Sequence, residues 1–118
     1  MLLTHFLEKL ANQPHNIEFS DTMAVIDANY TFTACAFNNH GFINSANENN
    51  GSCKLFAFAK LNQLSKQNTL DCFGAFYRDD VLGNPNQHDH MNIRTFMLAP
   101  EITPFLGITF SGEPLTAK

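Results

Sequence analysis

The chain has 118 residues and a mass of 13.2 kDa, and 44% of its residues are hydrophobic, including 12 phenylalanines. This size and apolar content are typical of one globular domain, which we predict to span residues 1–118. The 7 basic and 11 acidic residues give a formal net charge of −4, and the basic residues form no cluster. Such a chain has no patch that could neutralise several phosphates, so we expect neither nucleic acid nor a membrane as its partner.

The three cysteines, Cys35, Cys53 and Cys72, are odd in number and widely spaced, which fits neither a disulfide framework nor a Cys-x-x-Cys metal site. We therefore expect three reduced thiols that are buried separately, and a fold that needs no metal or other cofactor. Cys35 and Cys72 lie among phenylalanines, in a predicted strand and a predicted helix, and we expect both in the core.

The first predicted element is an amphipathic helix that begins almost at residue 1. Phe6, Leu7 and Leu10 recur at helical spacing, and the segment 12–14 ends the helix with a proline. The apolar run at the start is too short for a secretory signal, which needs roughly 7–15 apolar residues, or for a membrane span. We therefore expect a soluble, cytoplasmic protein.

A second helix and a β-hairpin follow. Ser20 is the predicted N-cap of the helix, which runs to about Ala28. Residues 31–37 are rich in β-branched and aromatic side chains and predict a strand. The segment 38–41, Asn-Asn-His-Gly, tolerates positive φ and precedes the apolar pair 42–43, which predicts a hairpin turn.

Two helices are predicted in the middle of the chain. The first, apolar on nearly every side, is capped by Ser52 and ends at 60–61. The second is capped by Ser65 and ends at 82–83. Gly74 inside it costs on the order of 1 kcal/mol relative to alanine, which indicates that another backbone packs closely there.

The last predicted helix is capped by Asp89 and directs Ile93 and Phe96 inward. Two prolines then break the chain, and the segment 107–110 predicts a terminal strand. Together the elements predict an α+β fold with about five helices, one β-hairpin and a C-terminal strand in a single domain.

Several strings of residues between about Glu18 and Met97 match the pattern of a known family. They are Thr22-Met23 with Ile26, Tyr30-Thr31-Phe32-Thr33, Asn50-Gly51-Ser52-Cys53-Lys54 with Phe56-Ala57-Phe58, Cys72-Phe73-Gly74, Tyr77-Arg78-Asp79-Asp80-Val81-Leu82, and Asp89-His90 with Asn92-Ile93-Arg94 and Phe96-Met97. In these strings the chain resembles the HopJ type III effector protein family. The resemblance implies delivery through a type III secretion apparatus, but no particular reaction and no catalytic residue. The predicted first helix lies where a secreted effector has a polar leader. A resident cytoplasmic protein is therefore at least as well supported as a secreted effector.

Cys53 is the strongest candidate for chemistry, because the polar segment 47–52 leads into an apolar helix and places this thiol near its N-terminus. The helix dipole and the backbone N–H groups at such a position favour a thiolate. A nucleophilic cysteine also needs a base, and we select His90, with Asp89 or Asn92 to orient its ring. The alternative of a small buried thiol is favoured, since free cysteines are so often buried.

A metal site is a further alternative. His88 and His90, with Asp79, Asp80 and Glu48, supply enough imidazole and carboxylate groups for Zn or Mn. A His-x-His pair without further ligand spacing is a weak signal, so a polar loop with a helix cap is favoured and we predict no metal ligand.

Two arginines are favoured as structural residues: Arg78, beside Asp79 and Asp80, and Arg94, one turn beyond His90. We expect them to pair with carboxylates and to tie the last two helices together. The asparagine clusters, among them 38–39 and 49–50, are explained mainly by turns.

A polar cleft is the predicted functional site. Cys53 and the segment 77–80 are both polar ends of apolar helices, so we expect them to lie close together and share this cleft. The predicted cleft residues are Asn50, Ser52, Cys53, Tyr77, Arg78, Asp79, His90 and Asn92. The favoured function is a binding or interaction module for a protein or a small polar ligand. The alternatives are a cysteine-dependent hydrolase or acyl transferase that uses Cys53 and His90, and a metal-dependent enzyme.

Overall fold

The computed structural model describes residues 2–118, which contain five α-helices and five short strands. The helices are α1 (Leu3–Asn12), α2 (Phe19–Asn29), α3 (Asn50–Leu61), α4 (Lys66–Asp71) and α5 (Met91–Phe96), with a 3₁₀ turn at Pro14–Asn16 and a π-helical segment at Phe76–Val81. The strands are β1 (Tyr30–Phe32), β2 (Phe37–Asn39), β3 (Phe42–Asn44), β4 (Ile108–Phe110) and β5 (Leu115–Ala117). The α+β fold class is therefore confirmed. No helix in this described part of the chain is long and apolar enough to cross a membrane.

The predicted β-hairpin is confirmed as β2 and β3, which pair antiparallel around His40 and Gly41. Both turn residues have positive φ, 50° for His40 and 95° for Gly41, as a hairpin turn of type I′ requires. The strand predicted over residues 107–110 is confirmed as β4, although β5 follows it and is the last strand of the chain. β4 pairs with the other edge of β2 and gives the strand order β3-β2-β4.

The single strand predicted over residues 31–37 is wrong. β1 ends at Phe32 and pairs with β5, whereas β2 begins only at Phe37. β5 supplies the partner of β1, so the chain has to cross from one sheet to the other within residues 33–36. Cys35 lies in this irregular crossing and is half-buried, so it is not the core strand residue that the sequence suggests.

Helix α3 runs through the core, as its almost uniformly apolar sequence predicts. Its residues 55–59 are all buried. The Phe56 ring packs against Phe73 and Phe96, with ring centroids 5.6 and 5.1 Å away. Because other elements pack along this helix, its first turn has a fixed position.

One of the three predicted serine caps, Ser65, is confirmed, whereas Ser52 is not a cap because α3 begins at Asn50 and Ser52 is its third residue. The Ser65 hydroxyl accepts a backbone N–H from the first turn of α4 at 3.0 Å. Ser20 is not a cap, because α2 begins earlier, at Phe19, and Glu18 caps it. Glu18 and Asp21 form a capping box, in which each side chain accepts a backbone N–H from the other residue. This reciprocal pair satisfies two N–H groups and so determines where the helix starts.

The cap predicted for the last helix is also wrong. α5 begins at Met91, and the residue before it is His90, whose backbone is left-handed with φ 50°. Asp89 binds Arg94 instead, with a distance of 2.7 Å between Asp89 Oδ1 and Arg94 Nη2. The Asp89 carboxylate therefore forms an ion pair with the Arg94 guanidinium and does not cap the first turn of α5.

The helix predicted over residues 65–83 is broken in the middle. α4 ends at Asp71, and the chain passes through Gly74, with φ 61°, before the π-helical segment begins at Phe76. A Cβ atom at Gly74 would lie 2.6 Å from the backbone nitrogen of Phe19. The close approach of a second backbone is therefore confirmed, and the positive φ explains why the α-helix cannot continue.

Candidate functional site

A pocket of about 480 Å³ lies between the first turns of α3 and α5 and the π-helical segment. Its phenylalanines are Phe19, Phe42, Phe73 and Phe76. Its polar side chains are Asn49, Ser52, His88, His90 and Asn92. A concave apolar wall with a few polar groups is the usual form of a small-molecule site, so this pocket is the candidate functional site.

The apolar wall consists of rings that pack against one another. Phe19 and Phe73 stack with an interplanar angle of 13° and centroids 6.2 Å apart. Phe76 meets Phe19 edge-on at 5.3 Å, and the His90 ring lies 5.2 Å from the Phe76 ring. Phe76 is nevertheless 41% exposed, so it offers a flat apolar surface to a molecule in the pocket.

A network of asparagines holds the start of α5 against the β-hairpin. Asn39 Nδ2 donates to the Asn92 carbonyl oxygen at 2.9 Å and to Asn92 Oδ1 at 3.2 Å. Asn92 Nδ2 donates to Asn44 Oδ1 at 2.9 Å, and Asn44 Nδ2 donates back to Asn92 Oδ1 at 3.2 Å. Asn49 Nδ2 donates to Asn44 Oδ1 at 2.7 Å, which brings the residue before α3 into the same network. Because these buried amides have partners, the Asn92 side chain is fixed at the pocket.

His40 lies at the end of this asparagine network. Its Nδ1 is 2.9 Å from Asn39 Oδ1, and since the amide oxygen can only accept, we assign the proton to Nδ1. Burial lowers the pKa of His40 from 6.5 and outweighs the Pro104 backbone, which raises it. The folded protein therefore favours the neutral imidazole.

The free energy of unfolding is expected to fall as the pH is lowered from about 7.5 to about 5.5, because the unfolded chain takes up a proton that His40 resists in the fold. This contribution is fully present above the unfolded pKa and is lost as the pH falls through the lower folded pKa. His40→Asn, which tolerates the φ of 50°, should weaken the pH dependence. Urea unfolding of both proteins at both pH values checks this, and an unchanged pH dependence in the variant would contradict it.

His90 is held by a carboxylate from outside the pocket. Its Nε2 lies 3.1 Å from Asp80 Oδ2 and 3.8 Å from Asp89 Oδ2. Asp80 belongs to the π-helical segment, so this contact joins that segment to the start of α5. A histidine whose Nε2–H is directed to a carboxylate has its tautomer and ring orientation set, and His90 is therefore a preorganised part of the wall.

The first turn of α3 borders the pocket and contains backbone N–H groups without an acceptor in the helix. Asn49, which precedes the helix, has a left-handed backbone with φ 54°, and its side chain makes no capping hydrogen bond. The first hydrogen bond of the helix joins the Cys53 nitrogen to the Asn49 oxygen at 3.0 Å. The N–H groups of Asn50, Gly51 and Ser52 therefore have no acceptor within the helix. Gly51 and Ser52 line the pocket.

The prediction that Cys53 lies within one residue of the helix terminus is wrong. α3 begins at Asn50, so Cys53 is its fourth residue, and it is buried outside the pocket lining. Burial, with the Cys35 thiol beside it, raises the pKa of Cys53 to about 12. This shift is opposite to the one that a helix terminus would produce. All three cysteines are free thiols; Cys53 and Cys72 are buried, whereas Cys35 is half-buried.

Three of the predicted cleft residues, Ser52, His90 and Asn92, line the pocket. The predicted residues outside its lining are Asn50, Cys53, Tyr77, Arg78 and Asp79. In the π-helical segment Tyr77 is buried and Asp79 is exposed, whereas Phe76 reaches the pocket. A role of the outer residues in ligand binding stays a prediction.

Both arginines pair with carboxylates as predicted, but they do not join the last two helices. Arg78 binds Glu18 at 3.3 Å and ties the π-helical segment to the start of α2. Arg94 binds Asp89 within its own end of the chain, and its Nε also donates to the Asp89 carbonyl oxygen at 2.6 Å. The link between the π-helical segment and α5 is the contact of His90 described above.

The carboxylates and imidazoles considered for a metal site do not form a ligand cluster. Residues 2–118 contain no group of three or more His, Cys, Asp or Glu side chains that could hold a metal ion. Of the two carboxylates near His90, Asp80 is in direct contact at 3.1 Å, and Asp89 lies farther away at 3.8 Å. The geometry of the described residues thus gives the metal-dependent alternative no support.

The aromatic half of the pocket is what sequence reasoning missed. The spacing of hydrophobic residues indicates which side chains are buried, but it does not indicate which of them line a pocket. The 12 phenylalanines could therefore not be divided into core residues and pocket residues. Phe76 carried no usable signal, because it follows Phe73 by three residues and therefore fits the same face of a predicted helix. Asn39 is explained by its sequence context as a turn residue, whereas it is a buried strand residue of the network.

Comparison with known proteins places the chain in a family. The model of the HopJ type III effector protein family matches residues 3–115. The crystal structure of the protein of unknown function VPA0580 superposes with a TM-score of 0.93 and 56% sequence identity, over 100% of this chain and 95% of that chain. Among curated proteins, none matches. The resemblance seen in the sequence strings is confirmed: the chain belongs to the HopJ type III effector protein family.

Proposed function

We propose that this HopJ family member is a binding module whose pocket takes a small molecule with a flat apolar body and a hydrogen-bond-accepting end. The observation that carries the proposal is the composition of one pocket. It brings four phenylalanines together with the first turn of α3 and with Asn49, His90 and Asn92, whose side chains are held by other contacts.

The phenylalanines support a flat apolar body. Phe76 is partly exposed, and Phe19 and Phe73 are already stacked on each other. A planar molecule that packs on such rings gains about 0.5–1.5 kcal/mol beyond the burial of its apolar area. The volume of about 480 Å³ also lies within the usual range of small-molecule sites.

The first turn of α3 supports an accepting end. Gly51 and Ser52 line the pocket, their N–H groups lack an acceptor within the helix, and the helix dipole adds a partial positive charge there. No Asp or Glu occurs among the pocket residues, all of which lie within the described chain. The Asp80 carboxylate outside the lining is engaged by His90. A carboxylate or carboxamide oxygen is therefore the chemistry that fits this end.

The hydrolase alternative has less support. It needs a thiolate at Cys53, whose pKa is raised to about 12 by burial. The polar partner of His90 is Asp80, and Cys53 has Cys35 as its neighbour. Three further expectations stay predictions. They are a cytoplasmic location, the lack of a nucleic-acid partner, and delivery by a type III system, which the family name suggests.

Phe76→Ala is expected to weaken the binding of 2-naphthoate at least about tenfold, because the exposed ring supplies a face for the naphthalene body. Isothermal titration calorimetry of the wild type and the variant measures this. Leu106→Ala is the matched control, since Leu106 is 80% exposed and lies outside the pocket lining, and it should bind like the wild type. Equal affinity in wild type and Phe76→Ala would contradict the proposed function.

A further inference from the structure

The His90 ring has one nitrogen engaged by the protein and one that is left for another molecule. Its Nε2 lies 3.1 Å from Asp80 Oδ2, and an ionised carboxylate can only accept, so we assign the ring proton to Nε2. In the neutral ring Nδ1 then carries a lone pair and can only accept. Within residues 2–118, the bond to Asp80 is the side-chain hydrogen bond that His90 makes. Asp80 therefore leaves Nδ1 as a hydrogen-bond acceptor without a protein donor.

The other polar side chains of the pocket do not offer a comparable acceptor. Asn92 Oδ1 already accepts two hydrogen bonds from the asparagine network, each 3.2 Å long. Asn49 and His88 are exposed, so water competes for their polar atoms. The Ser52 hydroxyl can donate as well as accept and therefore selects neither kind of partner. His90, by contrast, has a side chain that is 29% exposed and a ring held by Asp80 and packed beside a phenylalanine.

We propose that the pocket selects a carboxamide with at least one N–H, whose carbonyl oxygen binds the first turn of α3 and whose N–H donates to His90 Nδ1. This assignment rests on the proposed binding function and specifies the polar end of its ligand. A carboxylate has two accepting oxygens, and the second would meet the Nδ1 lone pair. A carboxamide carries an acceptor and a donor on the same carbon atom, so it fits both sides of the pocket. His90 is then a specificity-determining residue.

The test compares two neutral ligands, N-methyl-2-naphthamide and methyl 2-naphthoate. Both have the naphthalene body and a carbonyl oxygen, but the amide has an N–H where the ester has an oxygen. Titration calorimetry is run at about pH 8, where histidine rings are ordinarily neutral. We expect the amide to bind at least about tenfold more tightly than the ester, because the ester leaves Nδ1 without a donor. The binding of 2-naphthoate is measured alongside as the check on the binding function itself.

His90→Gly assigns this preference to the ring. Glycine keeps the left-handed backbone with its φ of 50°, and water can solvate the Asp80 carboxylate, which is 49% exposed. We expect the ratio of the two affinities to fall to about threefold or less, whereas a loss of packing alone would weaken both ligands and leave the ratio unchanged. His15→Gly is the matched control, since His15 is exposed and outside the pocket lining, and it should keep the wild-type ratio. A wild-type ratio in His90→Gly would overturn the role of His90.

A second readout uses the wild-type protein and no variant. Long-range ¹H–¹⁵N spectra of the histidine rings distinguish a protonated nitrogen from an unprotonated one. We expect His90 Nδ1 to be unprotonated in the free protein and to shift when the amide binds but not when the ester binds. A proton on Nδ1, or equal affinities for amide and ester beside intact binding of 2-naphthoate, would overturn the amide assignment alone. If none of the three ligands binds, the proposed function fails together with it.

Discussion

Gly74→Ala is expected to lower the free energy of unfolding by about 2–4 kcal/mol, the upper part of the usual range for a point substitution. The alanine Cβ would lie 2.6 Å from the backbone nitrogen of Phe19, and an L-residue is strained at the φ of 61°. Neither the turn nor the start of α2 can move without separating the Phe19 and Phe73 rings, which stack at the pocket. The chain has no tryptophan, so urea unfolding followed by far-UV circular dichroism is the measurement.

Gly112→Ala is the matched control for this substitution. A Cβ atom there would lie 3.6 Å from Cys35 Cβ, which is an ordinary van der Waals contact. We expect the free energy of unfolding to change by no more than about 0.5 kcal/mol. A similar loss in both variants, or a loss below about 1 kcal/mol for Gly74→Ala, would contradict the role assigned to the close backbone approach.

Asn92→Leu is expected to cost about 2–5 kcal/mol of stability, because a buried polar group that loses its partner keeps its full desolvation penalty. The leucine has about the same size but can neither accept from Asn39 nor exchange hydrogen bonds with Asn44. Both partners are buried, so water cannot replace the lost bonds without opening the structure. The same unfolding measurement applies, and the affinity for 2-naphthoate should fall with it, since Asn92 lines the pocket.

Asn86→Leu is the control for the network, because Asn86 lies in an exposed loop. The substitution is chemically identical, yet no buried partner is left without a hydrogen bond. We expect a change within about 0.5 kcal/mol. If the two leucine variants unfold at the same urea concentration, the asparagine network does not hold α5 against the hairpin.

Local patterns predicted the elements whose residues interact mainly with their own segment. The spacing of Phe6 and Leu10 identified α1, and the segment 38–41 identified the hairpin, because a turn with two positive φ values limits the residues that fit. The Ser65 cap was predictable for the same reason. Each of these features depends on at most a few neighbouring residues.

Features that depend on distant segments were not predictable in the same way. The split of residues 31–37 into two strands exists because Phe32 pairs with Leu115, which comes from the other end of the chain. The break at Gly74 was visible as a cost in a helix, but its geometry is set by the α2 backbone at Phe19. Strand register and close backbone approaches are decided by tertiary packing, so a single sequence does not specify them locally.

The candidate site shows the same division. Ser52, His90 and Asn92 could be predicted because they are polar residues beside apolar helices. The predicted position of Cys53 at the helix terminus was wrong by a few residues, because α3 begins at Asn50 and the thiol is buried at the fourth residue of the helix. The position of Phe76 in the pocket required the fold, since a phenylalanine has the same sequence signature in a core and in a wall.

The measurement that tests the binding function most directly compares two ligands with the same naphthalene body on ¹⁵N-labelled protein. 2-Naphthoate ends in an acceptor, whereas protonated 2-naphthylmethylamine ends in donors only. We expect 2-naphthoate to shift the amide resonances of Gly51 and Ser52 saturably and to bind at least about tenfold more tightly than the amine. Equal affinity for the two ligands, or naphthoate shifts confined to residues outside the pocket, would contradict the proposed function.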